Sequence, residues 1–231
     1  RRGLSGHGAG VLRMSAAAAL RDRWWALWPG GPSGAIDATY RDLADRYSEP
    51  HRAYHTLDHV ADCLRRLDEV RPLLARPAEA ELALWFHDAV YDPRRADNEE
   101  QSAALAAGAL RAAGVGAGVV ERVAGLIRLT SHPAAEVTGD GAIVCDIDLA
   151  ILGAPPERFE QYDAAIRREY AWVPEEMFRR ERARVLAGFL ARPRVYYTPT
   201  FADALEQQAR ANLRAAIRRY QNGTQMTQIS R

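Results

Sequence analysis

The chain has 231 residues, 48% hydrophobic and 26% charged, the balance of one sizeable globular domain or at most two small ones. That composition excludes a wholly disordered or collagen-like chain, and no stretch is long and apolar enough to span a bilayer. With 31 basic residues against 30 acidic ones, the formal net charge of +1 supports no specific nucleic-acid or membrane partner.

Residues 1–14 read as a flexible leader. Arg1 to Arg13 are Gly-rich and lack the apolar core of a signal peptide, Met14 reads as the start, and a cytoplasmic location is expected. Leu20, Trp24, Leu27 and Trp28 then recur at helical spacing before a break at Pro29 to Pro32. Ile36, Tyr40, Leu43 and Tyr47 mark a second helix that stops before Pro50. A third starts near Thr56 and carries Val60, Leu64, Leu67 and Val70. A fourth follows Pro77 and runs through Leu82, Leu84, Trp85 and Phe86 into His87-Asp88. Asp97 and Glu100 form a capping-box pattern for an Ala-rich helix that ends near Gly114. Val119, Val123, Leu126 and Ile127 mark the next. Gly139-Asp140-Gly141 reads as a turn before the apolar run Ala142 to Leu152, whose opening residues Ala142 to Cys145 fit strand or helix equally. Pro155 and Pro174 open two further helices, and Ala202 to Tyr220 forms the last. The pattern predicts a single all-α domain of roughly eight to ten helices over 15–221, with a disordered tail at 222–231. Trp24, Trp25 and Trp28 read as core or as the face of a homodimer.

The sequence contains no lysine. That removes Schiff-base chemistry, a lysine base and the lysine of a phosphate-binding P-loop. An anionic substrate is left to arginine, backbone amides, histidine or a metal ion. Cys63 and Cys145 read as two buried thiols of a reducing compartment rather than a disulfide framework.

Five of the six histidines, His51, His55, His59, His87 and His132, sit among polar or acidic neighbours. His55 and His59 share a helix face at i, i+4. Asp146 and Asp148 stand inside an apolar run, where carboxylates are expensive unless something positive neutralises them. His59, His87, Asp88 and Asp148 would supply two nitrogens and two carboxylates, a donor set suited to a divalent transition metal with open positions. His55-Thr56-Leu57-Asp58-His59 matches a zinc-protease helix only in histidine spacing, because Thr56 stands where the glutamate is needed. Gly114, Gly116 and Gly118 follow a helix and lack the strand-turn-helix setting of a dinucleotide loop.

The order of these motifs resembles the HD-domain superfamily of metal-dependent phosphohydrolases. The motifs are a first histidine, a His-Asp doublet and a distal aspartate, all on helices. Tyr54 to Val60, Trp85 to Asp92, Asn98 to Ser102 and Asp146 to Gly153 look like a bacterial branch of predicted HD phosphohydrolases, and the similarity covers Ala35 to Tyr220. The resemblance implies metal ligation by His59, His87, Asp88 and Asp148, with Asp146 as the alternative distal residue or as a partner orienting a ligand. It implies an ion such as Mn, Fe, Co, Ni or Mg and a small phosphorylated substrate, with nucleotides among the candidates. Asp88 would also take a proton from the attacking water, and His55 would act as leaving-group acid. Arg52, Asn98, Glu99 and His132 are candidates for substrate contact, and Arg182 could reach the pocket. The rival expectations are a catalytically silent HD-like protein that binds nucleotide or metal, and an HD-type di-iron oxygenase using His55 and His132.

Overall fold

The computed structural model describes residues 18–31, 33–132 and 136–229, with side chains described to residue 222. Among these residues there are ten α-helices and no strand. They are α1 (residues 18–26), α2 (Gly34–Arg46), α3 (Leu57–Val70), α4 (Pro77–Phe86), α5 (Asn98–Ala112), α6 (Ala117–Leu129), α7 (Gly139–Leu149), α8 (Pro156–Glu169), α9 (Glu175–Ala191) and α10 (Pro199–Ile229). Short 3-10 turns follow α3 at Arg71–Leu73 and α7 at Ala150–Gly153.

Two helices form the centre, and their sequences say why. Every residue of α4 from Ala80 to Phe86 is buried, and α7 is buried from Gly141 to Ile147 and again at Leu149. A helix with apolar residues on every side must be enclosed, and the acids it carries must find partners there, as Glu81 does in Arg23. α4 accordingly packs against α3, α5, α6 and α7. α3 is amphipathic instead, and it turns His59, Val60, Cys63, Leu64, Leu67 and Val70 inward. Because α3, α4 and α7 pack mutually, the first turn of α3 meets the C-terminal ends of α4 and α7.

The outer layer closes on this trio. Trp24 of α1 is fully buried and meets Trp85 edge to face at 5.5 Å. Trp25 and Trp28 are partly buried and pack against the same core. Arg23 ties α1 down through Glu81 (2.7 Å) and Asp68 (2.6 Å). α5 and α6 form a hairpin turned at Gly114, whose φ of +79° suits glycine. α9 and α10 pair with each other, and α10 also covers the Ala150–Gly153 turn.

That last contact is tight. A Cβ on Gly153 would lie 2.6 Å from Leu205 Cβ and 2.9 Å from the Leu205 carbonyl oxygen. Gly153→Ala is therefore expected to cost about 1–3 kcal/mol, read as a fall in thermal midpoint of roughly 2–4 °C per kcal/mol. An unchanged midpoint would show that α10 can shift to make room.

Several local expectations change. Ala142 to Cys145 is helix, and α7 begins at Gly139, so Gly139-Asp140-Gly141 is its first turn rather than a separate one. Asp97 stands at the N-cap of α5 but makes no side-chain cap, because Arg95 and Gln101 take its carboxylate. Glu100 pairs with Arg128 of α6 instead of closing a capping box. α10 runs on to Ile229, past Asn222, where a disordered tail was expected, and residues 230–231 lie outside the described residues. The expected leader 1–14 also lies outside them. No described helix is long and apolar enough to cross a membrane.

Candidate metal centre

At the junction of α3, α4 and α7, four side chains far apart in sequence converge. His59 stands in the first turn of α3, His87 caps the C-terminus of α4 with Asp88 next to it, and Asp148 is the penultimate residue of α7. His59 Nε2 lies 3.1 Å from His87 Nε2 and 3.1 Å from Asp148 Oδ1. Asp88 Oδ2 lies 3.0 Å from His87 Nε2 and 3.5 Å from His59 Nε2, and Asp148 Oδ1 lies 3.5 Å from His87 Nε2.

These distances and the protonation of His87 test whether the set fits a cation. His87 Nδ1 donates to the Leu84 carbonyl at 2.9 Å, so Nε2 of the neutral ring presents a lone pair to the cluster. Two ring nitrogens and two carboxylate oxygens thus face one another at these spacings. Ligand atoms about 2.1 Å from an ion stand about 3.0 Å apart on an octahedral edge and about 3.4 Å apart on a tetrahedral one. The spacings among His59, His87 and Asp148 match, so these three fit a divalent cation, with Asp88 beside both rings. The C-terminal turns of α4 and α7 also point their negative dipole ends here.

Without an ion, the charges compensate one another. Burial disfavours a charged His87, but Asp88 and Asp148 outweigh it and hold the imidazole pKa well above its usual value. Burial favours neutral carboxyls at Asp88 and Asp148, yet the histidines around them outweigh it. His87 and His55 lower the Asp88 pKa, and His132, His59 and His87 lower that of Asp148.

Cys63, one turn after His59, completes the neighbourhood. Its Sγ lies 3.7 Å from His59 Nε2, and His59, Cys63, His87 and Asp148 offer ligand atoms all within 4.8 Å of one another. These residues can hold a metal ion. Burial, reinforced by Asp148 and Asp88, raises the Cys63 pKa well above its usual value, so the thiol keeps its proton when no ion is present. Sequence reasoning passed over Cys63, although its i, i+4 spacing from His59 was the available signal.

The cluster opens on a cleft of about 700 Å³, whose wall includes His55, Asp88, Glu99, His132, Asp148 and Arg182. His132 lines the cleft, with Nε2 2.8 Å from Asp148 Oδ2, the oxygen turned away from His59. Its φ of +53° puts a non-glycine residue in the left-handed region, a strain of about 1 kcal/mol or more that usually marks a constrained position. His51 lies off the cluster and bonds the Tyr91 carbonyl at 2.8 Å.

Behind His55 stands Glu169 at the end of α8, a residue the sequence reading missed. Its Oε1 accepts the backbone N–H groups of Ala53 (2.7 Å), Tyr54 (2.7 Å) and His55 (3.0 Å). Its Oε2 accepts from His55 Nδ1 (2.7 Å) and the Tyr91 hydroxyl (2.9 Å). Burial works against this carboxylate, but its donors, His55 first, hold its pKa down at about 2. The bond to Nδ1 leaves Nε2 as the free nitrogen of His55. Burial also opposes charge on His55, and Asp88 and Glu169 outweigh it and raise its pKa.

Three other expected site residues play different parts. Arg52 has a fully buried side chain and is not in the cleft wall. Its Nη1 donates to the carbonyls of Asp88 (2.7 Å) and His55 (3.1 Å), and Nη2 donates to that of Ala89 (3.1 Å). It ties the His55 turn to the His-Asp turn rather than offering a fork to substrate. Asp146 is turned away from the cluster and accepts from Tyr197 N (2.7 Å), Thr198 N (2.8 Å) and Thr198 Oγ1 (2.7 Å), anchoring the start of α10. None of these three partners belongs to the metal cluster. Asn98 lines the cleft, but both ends of its amide bond the Asp92 backbone, at 3.0 and 2.9 Å, so it closes the 92–98 loop. No family model, curated protein or solved structure matches the chain.

Proposed function

We propose that the chain is an HD-type metal-dependent phosphohydrolase that cleaves a phosphoester or phosphoanhydride of a small phosphorylated molecule. The carrying observation is that His59 and His87 lie 3.0 to 3.5 Å from carboxylate oxygens of Asp88 and Asp148, and that these two carboxylates line an open cleft. A divalent ion held by these residues, with Cys63 in reach, would neutralise phosphoryl charge and acidify a water molecule.

The chain's own residues supply the rest. Asp88 keeps its carboxylate ionised and opens on the cleft, so it can accept a proton from water as that oxygen attacks phosphorus. His55 lines the same cleft with its ring held by Glu169, and Nε2 can return a proton to the leaving oxygen. Water is consumed, the P–O bond to the leaving group breaks, and phosphate and the protonated leaving group result. Arg52 and Glu169 act at one remove by fixing the turns that carry Asp88 and His55.

Phosphate release from nucleotides and phosphoesters by the purified chain is expected with added manganese, nickel or cobalt, and is expected to stop in excess chelator. A chain that binds metal stoichiometrically yet turns over none of the panel overturns the hydrolase reading and favours a silent binding protein. Two irons per chain with an oxygen-sensitive optical band would favour the oxygenase.

A further inference from the structure

The far wall of the cleft holds a buried guanidinium that the cluster does not use. Arg182 of α9 lines the cleft with its side chain only 10% exposed. Its Nε donates to Asp163 Oδ1 at 3.0 Å, while Nη2 is buried with no hydrogen-bond partner. Asp163 is shared, because its other oxygen, Oδ2, accepts from Arg219 Nη2 and from the Tyr220 hydroxyl, both at 2.6 Å. One buried carboxylate thus serves two guanidinium groups, and Arg219 also lies 3.6 Å from the exposed Glu160. Glu181 also lines the cleft, but its carboxylate is held by Arg180 and Arg184 at 3.2 and 2.8 Å. A helix staple accounts for the Nε bond. It does not account for the unpartnered Nη2 of a buried cation in a cleft wall, since such groups are costly unless something completes them.

Aromatic rings connect this cation to the metal centre. Arg182 lies 5.2 Å from the Tyr162 ring, Tyr162 meets Tyr54 at 4.5 Å, and Tyr54 meets His59 at 4.7 Å. The wall between the two charged ends therefore carries the aromatic rings of Tyr54 and Tyr162.

We propose that Arg182 is a second anion subsite. On the phosphohydrolase reading, which this inference requires, the ligand is a small molecule with two anionic ends. A phosphoryl group lies at the His/Asp cluster, a carboxylate or phosphate lies at Arg182, and an apolar or aromatic body lies along Tyr54 and Tyr162. Arginine suits this task because its guanidinium stays charged and keeps donors beyond the Nε that Asp163 takes.

Non-hydrolysable probes test the idea on the manganese-loaded full chain. Calorimetry compares ω-phosphonocarboxylates with alkylphosphonates of matched length, in wild type, Arg182→Gln and Arg182→Lys. In wild type the terminal carboxylate is expected to improve affinity at least about tenfold at the chain length that spans the cleft, as a charge-assisted hydrogen bond should. That ratio is expected to fall to about one in Arg182→Gln and to be partly kept in Arg182→Lys. A ratio of one at every length in wild type, or a ratio undiminished in Arg182→Gln, overturns the subsite and leaves the phosphohydrolase reading standing. If neither probe class binds metal-loaded wild type, that reading falls and the subsite with it. Should Arg182→Gln fail to fold, the length dependence in wild type against Arg182→Lys decides in its place.

Discussion

Asp148→Ala is expected to weaken divalent-metal binding by more than about 100-fold and to abolish metal-dependent turnover, since even outer partners of metal ligands are typically worth 10–100-fold. Asp148 stands at the centre of the cluster. One oxygen faces both ring nitrogens, at 3.1 Å from His59 and 3.5 Å from His87, and the other holds His132 at 2.8 Å. Its pKa is held well below the usual carboxylate value, so the group is an anion throughout the neutral range. Removing it takes away a ligand, a charge and the anchor of His132 together. Asp146→Asn is the matched control, two residues away on the same helix. Its carboxylate holds Thr198 at the start of α10, so its loss is expected to lower thermal stability and to leave metal stoichiometry intact. Metal content after dialysis and calorimetric titration read the first effect, and thermal denaturation reads the second. Equal loss of metal in both variants would move the metal centre away from Asp148.

The contrast between these two aspartates shows what could be read in the sequence. Both stand in an apolar run, and periodicity alone leaves them equal. The helix that forms turns Asp148 toward α3 and α4 and Asp146 toward the loop before α10, and that choice depends on which helices surround α7. The His-Asp doublet was legible because α4 has apolar residues on every side and must stop where its polar residues begin. His59 was legible as the first inward polar residue of an amphipathic helix. Arg52 misled because an arginine beside histidines reads as a phosphate fork, whereas burial turns it onto three carbonyls. Glu169 had no local signature beyond being an acid on the inward face of α8, one turn from Ile166. Its partners lie 78 to 116 positions away, and only the packed structure brings them together.

Glu169 is also where the largest stability effect is expected. Glu169→Ala removes the acceptor for three backbone N–H groups, one imidazole and one phenol in a buried setting, and is expected to cost about 3–5 kcal/mol. Glu169→Gln keeps the shape and removes the charge, which makes the effect readable against pH. The carboxyl titrates at about 2 in the folded chain against 4.5 in the unfolded one, a displacement worth about 3 kcal/mol. Because the folded value is the lower, that stabilisation is complete above the unfolded pKa and is lost as the pH falls from 4.5 toward 2. The glutamine variant has no such group to protonate. The gap in unfolding free energy between wild type and Glu169→Gln is therefore expected to be widest near neutral pH and to narrow below pH 4.5. His55 contributes with the opposite sign, because its pKa is raised: its share is complete below about 6.5 and fades as the pH climbs through the folded value. Urea titrations of both proteins across this range measure the gap directly. A gap that stays constant down to pH 3 would mean that the Glu169 carboxylate is not held ionised by its donors, and that His55 is positioned by packing alone.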